Sequence, residues 1–234
     1  MWADLTHLAA AGLIAGLTSL AVIDPGAGSG SISPPEMVQV AMPEGQALHV
    51  AIHEVTFGQW KLCVDDGGCE HLPNPGVAPL PGAIPVTGIN HLDARQYIAW
   101  INRRTGRGLR LPTHDEWQHL SRDMARTTRV LAFADPRLLW AADYGSMPDV
   151  DPALKASGSF GVSSDGVADL GGNVWEWTSS CFASAIADDR CPAYKVEGLH
   201  DTQLSIFIRN PAQGGCAIGV PPPHVGFRLV EDES

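Results

Sequence analysis

The sequence has no basic run, and its first Lys or Arg is Lys61. Fifteen Lys and Arg stand against 26 Asp and Glu, giving a formal net charge of −11. Nucleic acid and anionic membrane surfaces are excluded as electrostatic partners on that balance. Charged residues make only 18% of the chain and apolar residues 44%, so a core can form and disorder is not expected. There is no internal repeat, which removes solenoids and propellers. No cysteine pair has CxxC spacing, so a zinc knuckle is not indicated. What is plentiful is turn-forming residues, with 25 Gly and 18 Pro. They point to a loop-rich domain rather than a helical bundle.

Residues 5–23 also lack any Asp, Glu, Lys or Arg. As a helix at about 1.5 Å per residue they span about 28 Å, close to a bilayer's hydrocarbon thickness. The segment reads as an uncleaved anchor, a cleaved signal peptide or a misassigned start, with a buried core helix as the plain alternative. Only Asp4 precedes it as a charge, so topology cannot be read from charge bias. Residues 24–34, rich in Gly, Ser and Pro, read as a linker. The following domain is expected over 35–230, with 231–234 (EDES) as a solvated acidic tail.

Five cysteines remain to be placed. Cys63 and Cys69 flank a turn-rich spacer, Cys181 and Cys191 lie close in sequence, and Cys216 is alone. Two short-loop disulfides and one free thiol are the simplest arithmetic and would suit an exported protein. Five reduced thiols in a cytosolic protein are the alternative.

Strands are expected at Met37–Met42 and His49–His53. Thr56-x-x-Gln59 is a capping box that opens a helix to about Asp65. A second helix fits His91–Arg104, with Ala94, Tyr97, Ile98 and Ile101 on one face and Gly106 ending it. Thr113-x-x-Glu116 opens a third, which places Trp117, Leu120, Ser121 and Met124 at helical spacing. Val174–Thr178 alternates like a strand, and Val225–Val230 reads as a closing strand.

These segments carry motifs in a known order. His53–Trp60 (HEVTFGQW), Pro85–Arg104, Arg110–Trp117 (RLPTHDEW), Asp165–Trp177 (DGVADLGGNVWEW) and Gly226–Arg228 (GFR) resemble those of the formylglycine-generating-enzyme, or sulfatase-modifying factor, family. The resemblance covers about residues 35–230. It implies an α+β fold related to the C-type-lectin-like fold, loop-rich with few regular elements. It also implies a structural calcium ion in the GNVWEW loop. Carried over by motif, Asp169 and Glu176 would be side-chain ligands, and Gly172 and Val174 would offer carbonyls. Such hard oxygens suit calcium. The alternative is that Asp169 and Glu176 pair with an arginine or cap the loop. A second calcium site would begin near Asp143, in a stretch too divergent to place its other ligands.

Catalysis in the family implies copper(I) held by two cysteines just after an RGGSW motif. Here that stretch is Tyr194–Arg209 (YKVEGLHDTQLSIFIR), and no cysteine lies between Cys191 and Cys216. Copper is therefore not expected, and no catalytic residue can be named.

The run His114–His119 (HDEWQH) is a weaker metal candidate. His114 and His119 would point about 140° apart on a helix, whereas Asp115 and His119 share a face. The simpler reading has Asp115 favouring the helix dipole and His119 half buried. Trp60, Trp100, Trp117, Trp175 and Trp177 are expected in the core, with a sugar-stacking surface as the alternative. Arg228 is expected to be buried against a carboxylate. The function expected is an exported accessory or structural subunit that works on another extracytoplasmic protein or membrane complex, without catalysis. The alternatives are an oxidase of altered chemistry and a carbohydrate-binding module.

Overall fold

The structure is a computed structural model. It describes residues 32–73, 82–124, 154–181, 191, 193–200, 215–216 and 224–233. The expectations for residues 5–23, for the region around Asp143 and for residues 201–209 lie outside that set.

Among the described residues three helices form, each where a capping residue satisfies free N–H groups of its first turn. Helix α1 (Phe57–Asp65) is opened by the expected box between Thr56 and Gln59. Helix α2 (His91–Thr105) has an analogous box between Asn90 and Asp93 and ends on Gly106 in the left-handed conformation. Helix α3 (His114–Leu120) starts on Thr113 and Glu116. It is shorter than its spacing predicts, because Ser121 caps it and Met124 lies in the following turn.

Among the described residues, seven strands build two small sheets. In the first, β2 (Ala47–Ala51) lies between β1 (Met37–Ala41) and β7 (Val230–Asp232), all antiparallel. The second runs β5-β4-β3-β6: β5 (Gly215–Cys216), β4 (Ala193–Glu197), β3 (Trp175–Cys181) and β6 (Val225–Gly226). Strand β6 is parallel to β3, and the other pairs are antiparallel.

Three residues, Phe227–Leu229, carry the chain from β6 in one sheet to β7 in the other. All three side chains are buried. Their carbonyls also accept from the first sheet's side: Val55 N donates to Phe227 O at 2.9 Å, and Ala51 N to Leu229 O at 2.9 Å.

The cores fall on either side of this connection. One gathers Trp60, Tyr97, Trp100, Trp177 and Phe227 under α1 and α2. The other packs Val40, Leu48, Val50 and Val230 of the first sheet against Trp117 and Leu120 of α3. Buried areas of this size per aromatic ring dominate a core's stability.

Two sequence boundaries need correction. Glu231 and Asp232, read as part of the acidic tail, lie in β7, with Glu231 half-buried and Asp232 exposed. Arg107 and Arg110 hold their carboxylates across the sheet edge, so opposite charge overrides the tail-like composition. At the other end Ile32, placed in the linker, packs against the first core.

Candidate functional site

The most specific motif, Asp165–Trp177, wraps a buried charge cluster. Strand β3 presents Glu176 inward, the Phe227–Leu229 connection presents Arg228, and the residue before Val55 is Glu54. Arg228 is fully buried, and Glu54, Asp169 and Glu176 are each 1% exposed.

A guanidinium has five N–H groups, and here each finds an oxygen. Nε meets Glu176 at 3.0 and 3.1 Å. Nη1 donates to Ala51 O and Ile52 O at 3.0 and 2.8 Å. Nη2 donates to Ala168 O and Glu176 Oε1 at 2.9 and 2.7 Å. Arg228 thus joins the end of β2, the motif loop and β3. Burial opposes its charge, but Glu176 and then Glu54 more than offset this, so it stays protonated. The expected buried arginine–carboxylate pair is present, with Glu176 as the partner.

The loop ahead of β3 is held by the second carboxylate. Asp169 accepts from Phe160 N at 2.7 Å and from Gly158 N. Asp169 and Asn173 both have positive φ, 64° and 68°, a conformation Asn and Asp reach more readily than other non-glycine residues. Asn173 locks onto Lys155 through both its N–H and its C=O, each at 3.1 Å. A Cβ on Gly172 would fall 2.3 Å from the Phe160 ring, so this glycine permits the close wrap.

Of the four residues expected to hold calcium, Asp169, Gly172 and Val174 lie in the loop ahead of β3 and Glu176 lies in β3, and both carboxylates already accept from protein donors. Trp117 Nε1 donates to Glu176 Oε2 at 2.9 Å, which with Arg228 occupies both Glu176 oxygens. Asp169 has a backbone amide on each oxygen. Charge alone points the other way: the Glu176 and Asp169 carboxylates face one guanidinium.

Glu54 is the residue that sequence reasoning passed over. Neither of its buried oxygens has a hydrogen-bond partner in another residue, and only its own backbone N–H acts on them locally. Burial pushes its carboxyl up to about 8, against the pull of Arg228 and with help from Glu176 and Asp169. Within HEVTFGQW nothing distinguishes a buried glutamate from an exposed one.

The other candidates resolve locally. His114 pairs with Glu197 of β4, and Gln118 donates to the same carboxylate at 2.5 Å. His119 Nε2 lies 3.0 Å from Ala41 O. No group of three or more His, Cys, Asp or Glu placed to hold a metal occurs among the described residues. Trp60, Trp100, Trp117 and Trp177 are at most 2% exposed, so they are core rather than a sugar-stacking face. Half-buried Trp175 donates to His200 O at 3.1 Å and fills the space above Gly198, where a Cβ would lie 2.6 Å from its ring. The glycine of the altered RGGSW stretch is thus built over by an indole.

Both expected disulfides are present, Cys63–Cys69 and Cys181–Cys191. Such bonds persist in oxidising, extracytoplasmic compartments. No helix among the described residues is long and apolar enough to cross a membrane.

Comparison with known proteins follows this geometry. The bovine (Bos taurus) protein named inactive C-alpha-formylglycine-generating enzyme 2 is 35% identical over 118 residues, 45% of this chain and 36% of its own length. A formylglycine-generating enzyme of Mycobacterium tuberculosis is 34% identical over 183 residues, 63% of this chain and 57% of its own. Hercynine oxygenase of Mycolicibacterium smegmatis is 28% identical over 162 residues, 54% of this chain and 35% of its own. The chain thus spans between about a third and about three-fifths of these relatives. Among solved structures, PvdO from Pseudomonas aeruginosa superposes with a TM-score of 0.53 at 17% identity, over 86% of this chain and 92% of that one. That likeness establishes the mixed α and β fold. The profile of the sulfatase-modifying factor enzyme 1-like domain matches residues 34–233, and the chain belongs to that family.

Proposed function

We propose that this chain is a non-catalytic member of its family, an exported accessory domain in the maturation or assembly of another extracytoplasmic protein. One observation carries the reading. Copper(I) chemistry of the family's kind takes two thiolates, yet four of the five cysteines are tied in disulfides. Cys216 alone is left as a thiol, and one soft ligand does not replace two. The relative named as an inactive enzyme supports the same reading. Export is supported by the disulfides; attachment to a membrane through residues 5–23 is part of the proposal.

The test is direct. Purified chain, copper(I), oxygen and a cysteine peptide should give no formylglycine by mass spectrometry, and product formation would overturn the reading. The likeness to hercynine oxygenases favours one alternative, an oxidase without the thiolate pair. Oxygen uptake that depends on a thiol substrate, with or without added iron, would select it.

Calcium at Asp169, Gly172, Val174 and Glu176 is a second proposal, taken from the resemblance. The excess of buried negative charge supports it. It requires Glu176 to exchange part of its hold on Arg228 for the ion.

A further inference from the structure

Glu54 does not end in the charge cluster alone. It lines a pocket of about 370 Å³, bounded also by Glu36, His53, Gln59, Tyr97 and Ser157. This is the lower end of the range of small-ligand sites, roughly 300–1,000 Å³. Two of its side chains have polar atoms that are buried and unpartnered: both carboxylate oxygens of Glu54 and the hydroxyl of Ser157. Buried polar groups are nearly always hydrogen-bonded. Two such orphans lining one pocket are therefore polar groups that lack a partner, and once Glu54 is ionised they need a donor.

The lining settles which donor fits. It contains two glutamates and no Lys or Arg. The one nearby cation, Arg228, has all five N–H groups engaged elsewhere. Behind Glu54 stand Glu176 and Asp169, which add negative potential. The remaining walls are apolar or aromatic: Ala51, Val55, Leu229 and the Tyr97 ring. A compact cation with several N–H donors on a short alkyl stem matches both parts, its head on Glu54 and Ser157 and its stem along the apolar wall.

We propose that this pocket binds a primary alkylammonium group through Glu54 and Ser157. The group can belong to a free small amine or to a lysine side chain of a partner. The site does not depend on whether the domain is catalytic.

The test is ¹H–¹⁵N NMR on the full chain at about pH 8.5, where Glu54 is mostly ionised and the amines remain protonated, with n-butylammonium, Nα-acetyl-lysine amide, n-butanol and calcium chloride as separate titrants. Saturable shifts are expected at the amides of Val55, Thr56, Gln59 and Ser157 with both amines, with a dissociation constant on the order of 1 mM. Tighter binding by one amine identifies the source. Glu54→Gln should weaken binding at least about tenfold, and Ser157→Ala should weaken it less, with amide spectra otherwise native. Glu70→Gln, at an exposed position outside the pocket, should leave it within about twofold. The proposal is overturned if the amines give no localised shifts, if n-butanol binds as well, if only calcium moves these amides, or if both Glu54→Gln and Ser157→Ala bind like the parent.

Discussion

Arg228 concentrates more of the fold's polar bonding than any other described side chain, since its five N–H groups serve four residues. Replacing it by Met would strand Glu176 and three main-chain carbonyls in the interior. Removing one partner of a buried pair typically costs about 3–5 kcal/mol, a large share of a domain's usual 5–15 kcal/mol. Urea unfolding of Arg228→Met should show a loss of that order. Glu54 makes a separate demand. Burial has raised its carboxyl from 4.5 to about 8, so the folded state holds that proton more tightly than the unfolded chain does. The linked stability is complete below about pH 4.5, declines as pH rises, and is gone above about pH 8. Urea midpoints should therefore fall across that window, with Arg228, Glu176 and Asp169 as the charges facing the group. In Glu54→Gln the fall should flatten; an unchanged slope would assign it to other groups.

At the scale of elements, the helix starts were legible and the loop chemistry was not. Thr56-x-x-Gln59 and Thr113-x-x-Glu116 are local devices whose two partners sit three residues apart, and both boxes form. The Asn90 and Asp93 box works in the same way but uses shorter side chains, and the pattern sought was Thr with Glu or Gln. Strands β4 and β5 were missed because they are short and their partners are remote in sequence. The acidic end looked like a tail because its partners, Arg107 and Arg110, are remote in sequence. For the GNVWEW loop, sequence supplied two uses for Asp169 and Glu176, and only geometry shows the protein donors they take. A calcium titration of chain dialysed against a chelator tests the proposed ion. A melting temperature that rises by several degrees, and does not rise in Asp169→Asn, supports it, since binding only the folded state stabilises by mass action. No rise would leave Arg228 and the loop amides as what holds this turn.

For the molecule as a whole, the two disulfides link the proposed location to a count. An unreduced, denatured sample should titrate one thiol with Ellman's reagent and five after reduction, from the five cysteines and the two bonds. Five thiols without reduction would remove both the thiol argument against copper and the support for export. The family was legible from motifs because they hold the cap residues, the buried arginine and the tight loop that any member of this fold needs. The pocket at Glu54 was not, because its lining comes from segments as distant as Glu36, Tyr97 and Ser157.

The three residues between β6 and β7 also set an order of events during synthesis. Strand β2 emerges early and finds β1 at once, but its other edge waits for Val230–Asp232. Strand β3 likewise waits for Val225–Gly226. Until residues 225–232 arrive, β3 and then β2 each keep an unpaired edge, and such edges are templates for pairing with other chains. A nascent or prematurely cut chain is thus held open at two places simultaneously. Those edges are where a holding chaperone would grip it and where aggregation would begin.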